Sequence, residues 1–143
     1  MTNDEYLEMF EADAIINKTD LTTESLKIPV ILAKYQRHLV MEAKILKGAE
    51  QLLDKKRLDL YKYYTGDAPD HVYKEKPLNK KPLKSDIEKY YMEADSDFQK
   101  LEQQIQNQSL KVRLLEEQIK ALSQRSFNIK NAIDWEKFKS GIN

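Results

Sequence analysis

Cysteine is absent from the chain, which excludes a disulfide framework and any thiolate metal site. There are only two histidines, His38 and His71, far apart in sequence, so a zinc centre is not expected. Three glycines and four prolines in 143 residues supply too few turns for a many-stranded protein. Together with 34% charged residues, this composition favours long exposed helices. No apolar run approaches the ~18 residues that span a bilayer, and the opening residues Met1 to Glu5 are acidic where a secretory signal is basic. A glycine-rich phosphate loop, a Ser/His/Asp set in a plausible frame and metal-ligand spacing are all missing. The expectation is a soluble, intracellular, non-enzymatic protein of one domain (1–143), with no cofactor and no metal.

What the chain does have is periodicity. From Ser85 to Ile133, steps of four and three pass through Ile87, Tyr91, Ala94, Phe98, Leu101, Ile105, Gln108, Val112, Leu115, Ile119, Leu122, Ser126, Ile129 and Ile133. All but Gln108 and Ser126 are apolar or aromatic, and neither Pro nor Gly intervenes, so the spacing predicts a heptad helix. Ser85 to Glu88 reads as its capping box. Such a helix would extend roughly 70 Å, too long to bury its seam inside a small globule without a second long helix. Residues 22–65 supply one. Ile28, Leu32, Tyr35, Leu39, Leu46, Ala49, Leu53, Leu60 and Tyr63 repeat the spacing, with Glu42 and Lys56 as the breaks. Thr22 or Thr23 is the expected cap, Pro29 falls near the start, and Gly66 followed by Pro69 marks the end. The fold class expected is all-α: two long helices in an antiparallel hairpin or coiled coil, a short N-terminal helix and a C-terminal oligomerisation tail.

The remaining segments differ in character. Residues 1–21 are acidic, and 4–16 read as a short helix with Tyr6, Leu7, Phe10 and Ala14 on one face, either docked on the long helices or a detachable arm. Residues 66–84 form a loop rich in lysine and proline, where regular structure is not expected. After the heptad helix (85–124), residues 125–143 bring Phe127, Ile129, Ile133, Trp135 and Phe138 together. Large aromatics are costly to leave in water. In a chain with little interior they suit an oligomer interface.

Net charge is zero, but the bases concentrate in the middle, ten against six acids over 55–91. A local basic surface can face a polyanion even when the total is neutral. Lys55, Lys56, Arg57, Tyr61, Lys62 and Tyr64 interleave cations with aromatic rings, and Lys80, Lys81 and Lys84 follow in the loop. Cations neutralise phosphates and tyrosines stack on unpaired bases, a pairing that suits single-stranded nucleic acid. Tyr63 lies on the seam and is assigned mainly to packing. The competing reading is a coiled-coil adaptor that binds only proteins.

Four segments carry a resemblance. They are Asp13 to Leu21, Ile28-Pro29 with Ala33 to Arg37, the Tyr63-Tyr64-Thr65-Gly66 turn, and Arg125 to Lys130 with Asp134, Phe138 and Gly141. In that order they resemble the UvsY family of recombination mediators of T-even-like phages, in its marine-phage branch. The resemblance implies a ring-like homo-oligomer that binds single-stranded DNA. It also implies that the protein weakens the phage single-strand-binding protein on DNA and loads the phage recombinase, in the cytoplasm of the infected bacterial host and without hydrolysing nucleotide. It further implies DNA contact through a Lys-x-Arg-Leu-Asp pattern, here Lys55, Arg57, Leu58 and Asp59, displaced by three residues relative to Tyr63. The C-terminal segment is implied to be the oligomerisation element.

Overall fold

A computed structural model of the chain describes residues 1–141, and within them the fold is helical with no strand. In order come α1 (Asn3–Ala14), α2 (Leu21–Thr65), α3 (Asp70–Glu75), α4 (Lys84–Asp86), a π-helical segment (Ile87–Met92), α5 (Ser96–Ser123) and α6 (Arg125–Lys139). Among the described residues no helix is long and apolar enough to cross a membrane. The residues gather into two compact units. Unit 1 comprises 1–43 and 110–141, and unit 2 comprises 44–109.

Helix starts follow side-chain caps, though not those expected. The capping box belongs to α1: Glu5 N–H donates to Thr2 Oγ1 at 3.1 Å, and Thr2 N–H donates to Glu5 Oε2 at 2.8 Å. Asp20, not Thr22 or Thr23, opens α2. Its carboxylate accepts from Thr23 N–H at 3.2 Å and Thr23 Oγ1 at 2.6 Å, and these bonds hold the carboxyl below its usual range. The early start leaves Pro29 inside the helix. The expected box at Ser85 is not formed. Leu83 occupies the cap position of α4 and no side chain bonds there.

Along α2 the four-three line from Ile28 to Tyr63 is buried or half-buried at every step. In unit 1 Tyr35 packs with Tyr6, Leu115 and Leu122, and Met9 and Phe10 of α1 close the cluster. α1 is therefore docked, with Tyr6 fully enclosed. Its hydroxyl donates to Glu42 Oε1 at 2.9 Å, so the polar break in the seam is matched by a buried partner. Lys111 Nζ lies 3.8 Å from the other Glu42 oxygen. Burial, reinforced by that hydrogen bond, pushes the Tyr6 hydroxyl up to about 12. Tyr35 is raised by the same causes, with Asp13 as its acceptor at 2.9 Å.

The uninterrupted 85–124 helix is a correction. The heptad line holds from Phe98 to Leu122, all buried or half-buried; before it Tyr91 and Ala94 are exposed, and after it Ser126 is exposed while Ile129 and Ile133 keep to the line. Asp95 ends the first stretch, with its Oδ2 accepting from Phe98 N–H at 2.9 Å to open α5. Before it, the π-helical turn buries Ile87 and Met92, five residues apart, and leaves Tyr91 and Ala94 exposed. After Leu122 a turn at Gln124 separates α5 from α6, and Arg125 and Ile129 are buried, three and seven residues on from Leu122, while Ser126 is exposed. Arg125 binds the C=O of Asp13, the C=O of Ile15 at 2.8 Å and Glu24 Oε2 at 3.0 Å. It thereby ties the end of α1 and the start of α2 to α6.

Candidate nucleic-acid interface

The basic-aromatic cluster lies in unit 2, at the end of α2. Gly66, at φ +85°, supplies the left-handed residue that stops the helix. Asp67 N–H donates to Lys62 C=O at 2.8 Å and Gly66 N–H to Tyr63 C=O at 3.3 Å, the paired bonds of a Schellman motif. α3 corrects the expectation of a loop without regular structure. From it the Tyr73 hydroxyl reaches back to donate to Tyr63 C=O at 2.7 Å, a second bond to the carbonyl that already accepts from Gly66 N–H. The Tyr63 and Tyr73 rings stack 5.4 Å apart, and the Tyr63 hydroxyl donates to Lys76 C=O at 3.1 Å. Tyr63 is thus a packing residue that fixes the connecting segment to the helix.

Helical spacing sorts the other candidates onto two lines. Arg57, Tyr61 and Tyr64 lie at i, i+4 and i+7. Lys55 and Lys62 lie seven apart on another side. Lys55, Arg57, Tyr61 and Lys62 are exposed, and Tyr64 is half-buried. Arg57 sits over the Phe98 ring at 5.2 Å, so its guanidinium is positioned while its outer face remains open. Lys56 points partly inward and lies 3.9 Å from Asp97, which makes it a weaker candidate for a phosphate. Lys80, Lys81 and Lys84 are all exposed. The Lys81 side chain passes so close to Gly66 that a Cβ there would meet its Cε at 2.7 Å. The connecting segment therefore brings one of its lysines to the tyrosine turn.

Three residues near this surface were not among the sequence candidates for contact with DNA. Lys76 places its ammonium 5.7 Å from the Tyr63 ring. Tyr90 and Tyr91 are exposed, and the Tyr91 ring lies 5.1 Å from that of Tyr64. Burial, with the negative charge of Asp95 behind it, raises the Tyr64 hydroxyl. The adjacency of Tyr90 and Tyr91 was the available signal, since two consecutive side chains cannot both sit on a narrow helical seam.

The candidates for oligomerisation lie in unit 1 and divide. Phe127, Trp135 and Phe138 are 58–68% exposed, and the Trp135 and Phe138 rings stack 5.5 Å apart. Ile133 is half-buried, while Ile129 is buried inside its own unit and has little surface to offer a second subunit.

A family model described as recombination, repair and ssDNA binding protein UvsY matches residues 9–142. No curated protein and no solved structure matches the chain.

Proposed function

The chain belongs to the UvsY family of recombination, repair and single-stranded-DNA-binding proteins, and on that footing we propose that it is a non-enzymatic recombination mediator. In this reading it binds single-stranded DNA as a homo-oligomer, weakens single-strand-binding protein on that DNA and loads the recombinase. It works in the cytoplasm of an infected bacterial host. The pairing of α2 with α5 as an antiparallel hairpin, and the assembly of subunits through α6, belong to the same proposal.

The observation that carries it is the family match across nearly the whole chain, joined to a surface of the right chemistry. Lys55, Arg57 and Lys62 are exposed at the end of α2, beside tyrosines that can stack. The exposed, mutually stacked Trp135 and Phe138 support a contact between subunits. A ring would repeat the basic surface once per subunit, so modest contacts would sum through multivalency.

The test is an anisotropy titration of a short unstructured oligonucleotide over a range of salt. Each lost phosphate contact flattens the log–log salt slope by about 0.7 on single strands. Lys55→Ala with Arg57→Ala is expected to weaken binding and reduce the slope, and Lys80→Ala with Lys81→Ala and Lys84→Ala to do so to a smaller extent. If neither set lowers affinity while oligomer mass is unchanged, the basic middle is not the DNA site. Absence of binding by the unmodified protein at low salt would favour the adaptor reading.

A further inference from the structure

A regular α-helix through residues 87–94 would place Tyr91 on the buried seam beside Ile87. The π-helical turn prevents this. Ile87 and Met92 are 0% and 1% exposed, whereas Tyr90 and Tyr91 remain 55% and 43% exposed. An inserted π-turn is a departure from regular hydrogen bonding that is frequently found at functional sites. Here its result is a pair of tyrosines held at the surface rather than in the core. They line a cleft of about 410 Å³ with Tyr64, Lys76 and Asp95.

The lining is chemically selective. Three tyrosines line it, the rings of Tyr64 and Tyr91 lying 5.1 Å apart, and two lysines stand close by. Lys76 lines the cleft, and the Lys89 ammonium lies 5.3 Å from the Tyr90 ring. The Asp95 carboxylate would repel a phosphate inside the cleft, while it can accept a hydrogen bond from an amino or imino group. A flat, neutral, aromatic ligand with negative charge on either side of it fits these groups. Continuity strengthens the reading, because Tyr64 belongs both to this cleft and to the Arg57–Tyr61–Tyr64 line of α2.

We propose that the cleft receives one unpaired nucleobase of the bound strand, stacked against Tyr90 and Tyr91, with the flanking phosphates on Lys76 and Lys89. The inference rests on the single-strand-binding reading above and assigns the base-reading part of that surface. It makes the contact non-sequence-specific, since every base presents a ring face.

The experiment compares the full-length oligomer on two oligonucleotides of equal length, one of thymidylate and one with abasic spacers on the same phosphate backbone. The unmodified protein should prefer the thymidylate strand by about fivefold or more, the effect of one stacked base. Tyr90→Ala with Tyr91→Ala should lower that preference by about fivefold or more and leave the salt slope unchanged. Tyr90→Phe with Tyr91→Phe should keep the preference. If the alanine pair alters oligomer mass or helical dichroism, Tyr90→Ala alone decides the matter, because that ring is more than half exposed. A preference undiminished by alanine substitution overturns the cleft assignment and leaves single-strand binding standing. Failure of the unmodified protein to bind either strand removes both readings at once. A preference lost equally in the phenylalanine variant would mean that the hydroxyls, not the rings, are read, and would also overturn the stacking proposal.

Discussion

Unit 1 encloses Glu24, Glu42, Gln118 and Arg125 among its apolar side chains, whereas the buried residues of unit 2 are Leu60, Tyr63, Ile87, Met92 and Phe98. Net charge does not explain the contrast. Unit 1 holds eleven bases and twelve acids, and unit 2 thirteen and twelve. The difference is in where the charges go. Unit 1 turns several inward and pairs them: Arg125 with Glu24, and Glu42 with the Tyr6 hydroxyl and Lys111. Unit 2 keeps nearly all its cations outside, Lys56 being half-buried, and fixes its backbone with tyrosine hydroxyls on carbonyls. A buried polar pair tolerates few alternative arrangements, because each misplacement strands a charge. Exposed cations on an aromatic frame remain free for a polyanion. Within one chain, then, one unit has the marks of a fixed docking of three segments and the other an open surface of cations and tyrosines.

The sharpest way to break this contrast is Arg125→Ala. It takes from the Glu24 carboxylate its buried partner, leaving only the half-exposed Lys27, and strands two backbone carbonyls; loss of one partner from a buried pair costs about 3–5 kcal/mol. Urea unfolding followed by hydrogen exchange should show unit 1 amides losing protection well before those of unit 2. A loss below about 1 kcal/mol would mean that the pair is solvated and that unit 1 is not held by it.

An effect of intermediate size is expected at alkaline pH. The folded Tyr6 hydroxyl sits at about 12 against an ordinary value of 10.0, and Tyr35 is raised as well. The unfolded chain releases these protons first. The stability they contribute is therefore complete below about pH 10 and falls as pH rises towards 12. Tyr6→Phe should shallow that decline and cost some stability at neutral pH through loss of the Glu42 bond. Identical alkaline slopes for the two proteins would show that Tyr6 does not carry the effect.

The smallest effect should come from the ion pair of unit 2. Lys56 and Asp97 stand 3.9 Å apart with Asp97 mostly exposed, so Lys56→Ala should change stability by at most about 1 kcal/mol. A larger loss would erase the distinction between the units. Whether Lys56→Ala touches DNA affinity is read separately, from the salt-dependent titration.

Much of α2 was legible because one rule operates along its whole length. A seam of period near 3.5 must face a partner, and every step from Ile28 to Tyr63 does. The Gly66 stop was legible for a similar reason, since few residues other than glycine adopt a positive φ cheaply. The second seam was legible without interruption from Phe98 to Leu122, and again at Ile129 and Ile133. Before Phe98 a local change of phase moved residues off it, and after Leu122 one step, Ser126, is displaced. The π-turn took Tyr91 and Ala94 to the surface, and the break at Gln124 exchanged Ser126 for Arg125. Periodicity assumes a constant helical repeat and cannot see either event.

By itself, then, the sequence determined the helical class, the family, the seam of α2 and the concentration of cations and tyrosines at its end, because composition and short-range spacing are enough for each. Only the tertiary structure decided that Arg125, in the tail, closes on Glu24 across 101 residues of chain, that Ile129 is spent inside its own unit, and that Tyr90 and Tyr91 face outward beside Tyr64. Each of these depends on which groups meet once the helices pack. Burying a charge or exposing a ring is settled by the partner it finds there, and no local pattern records that partner.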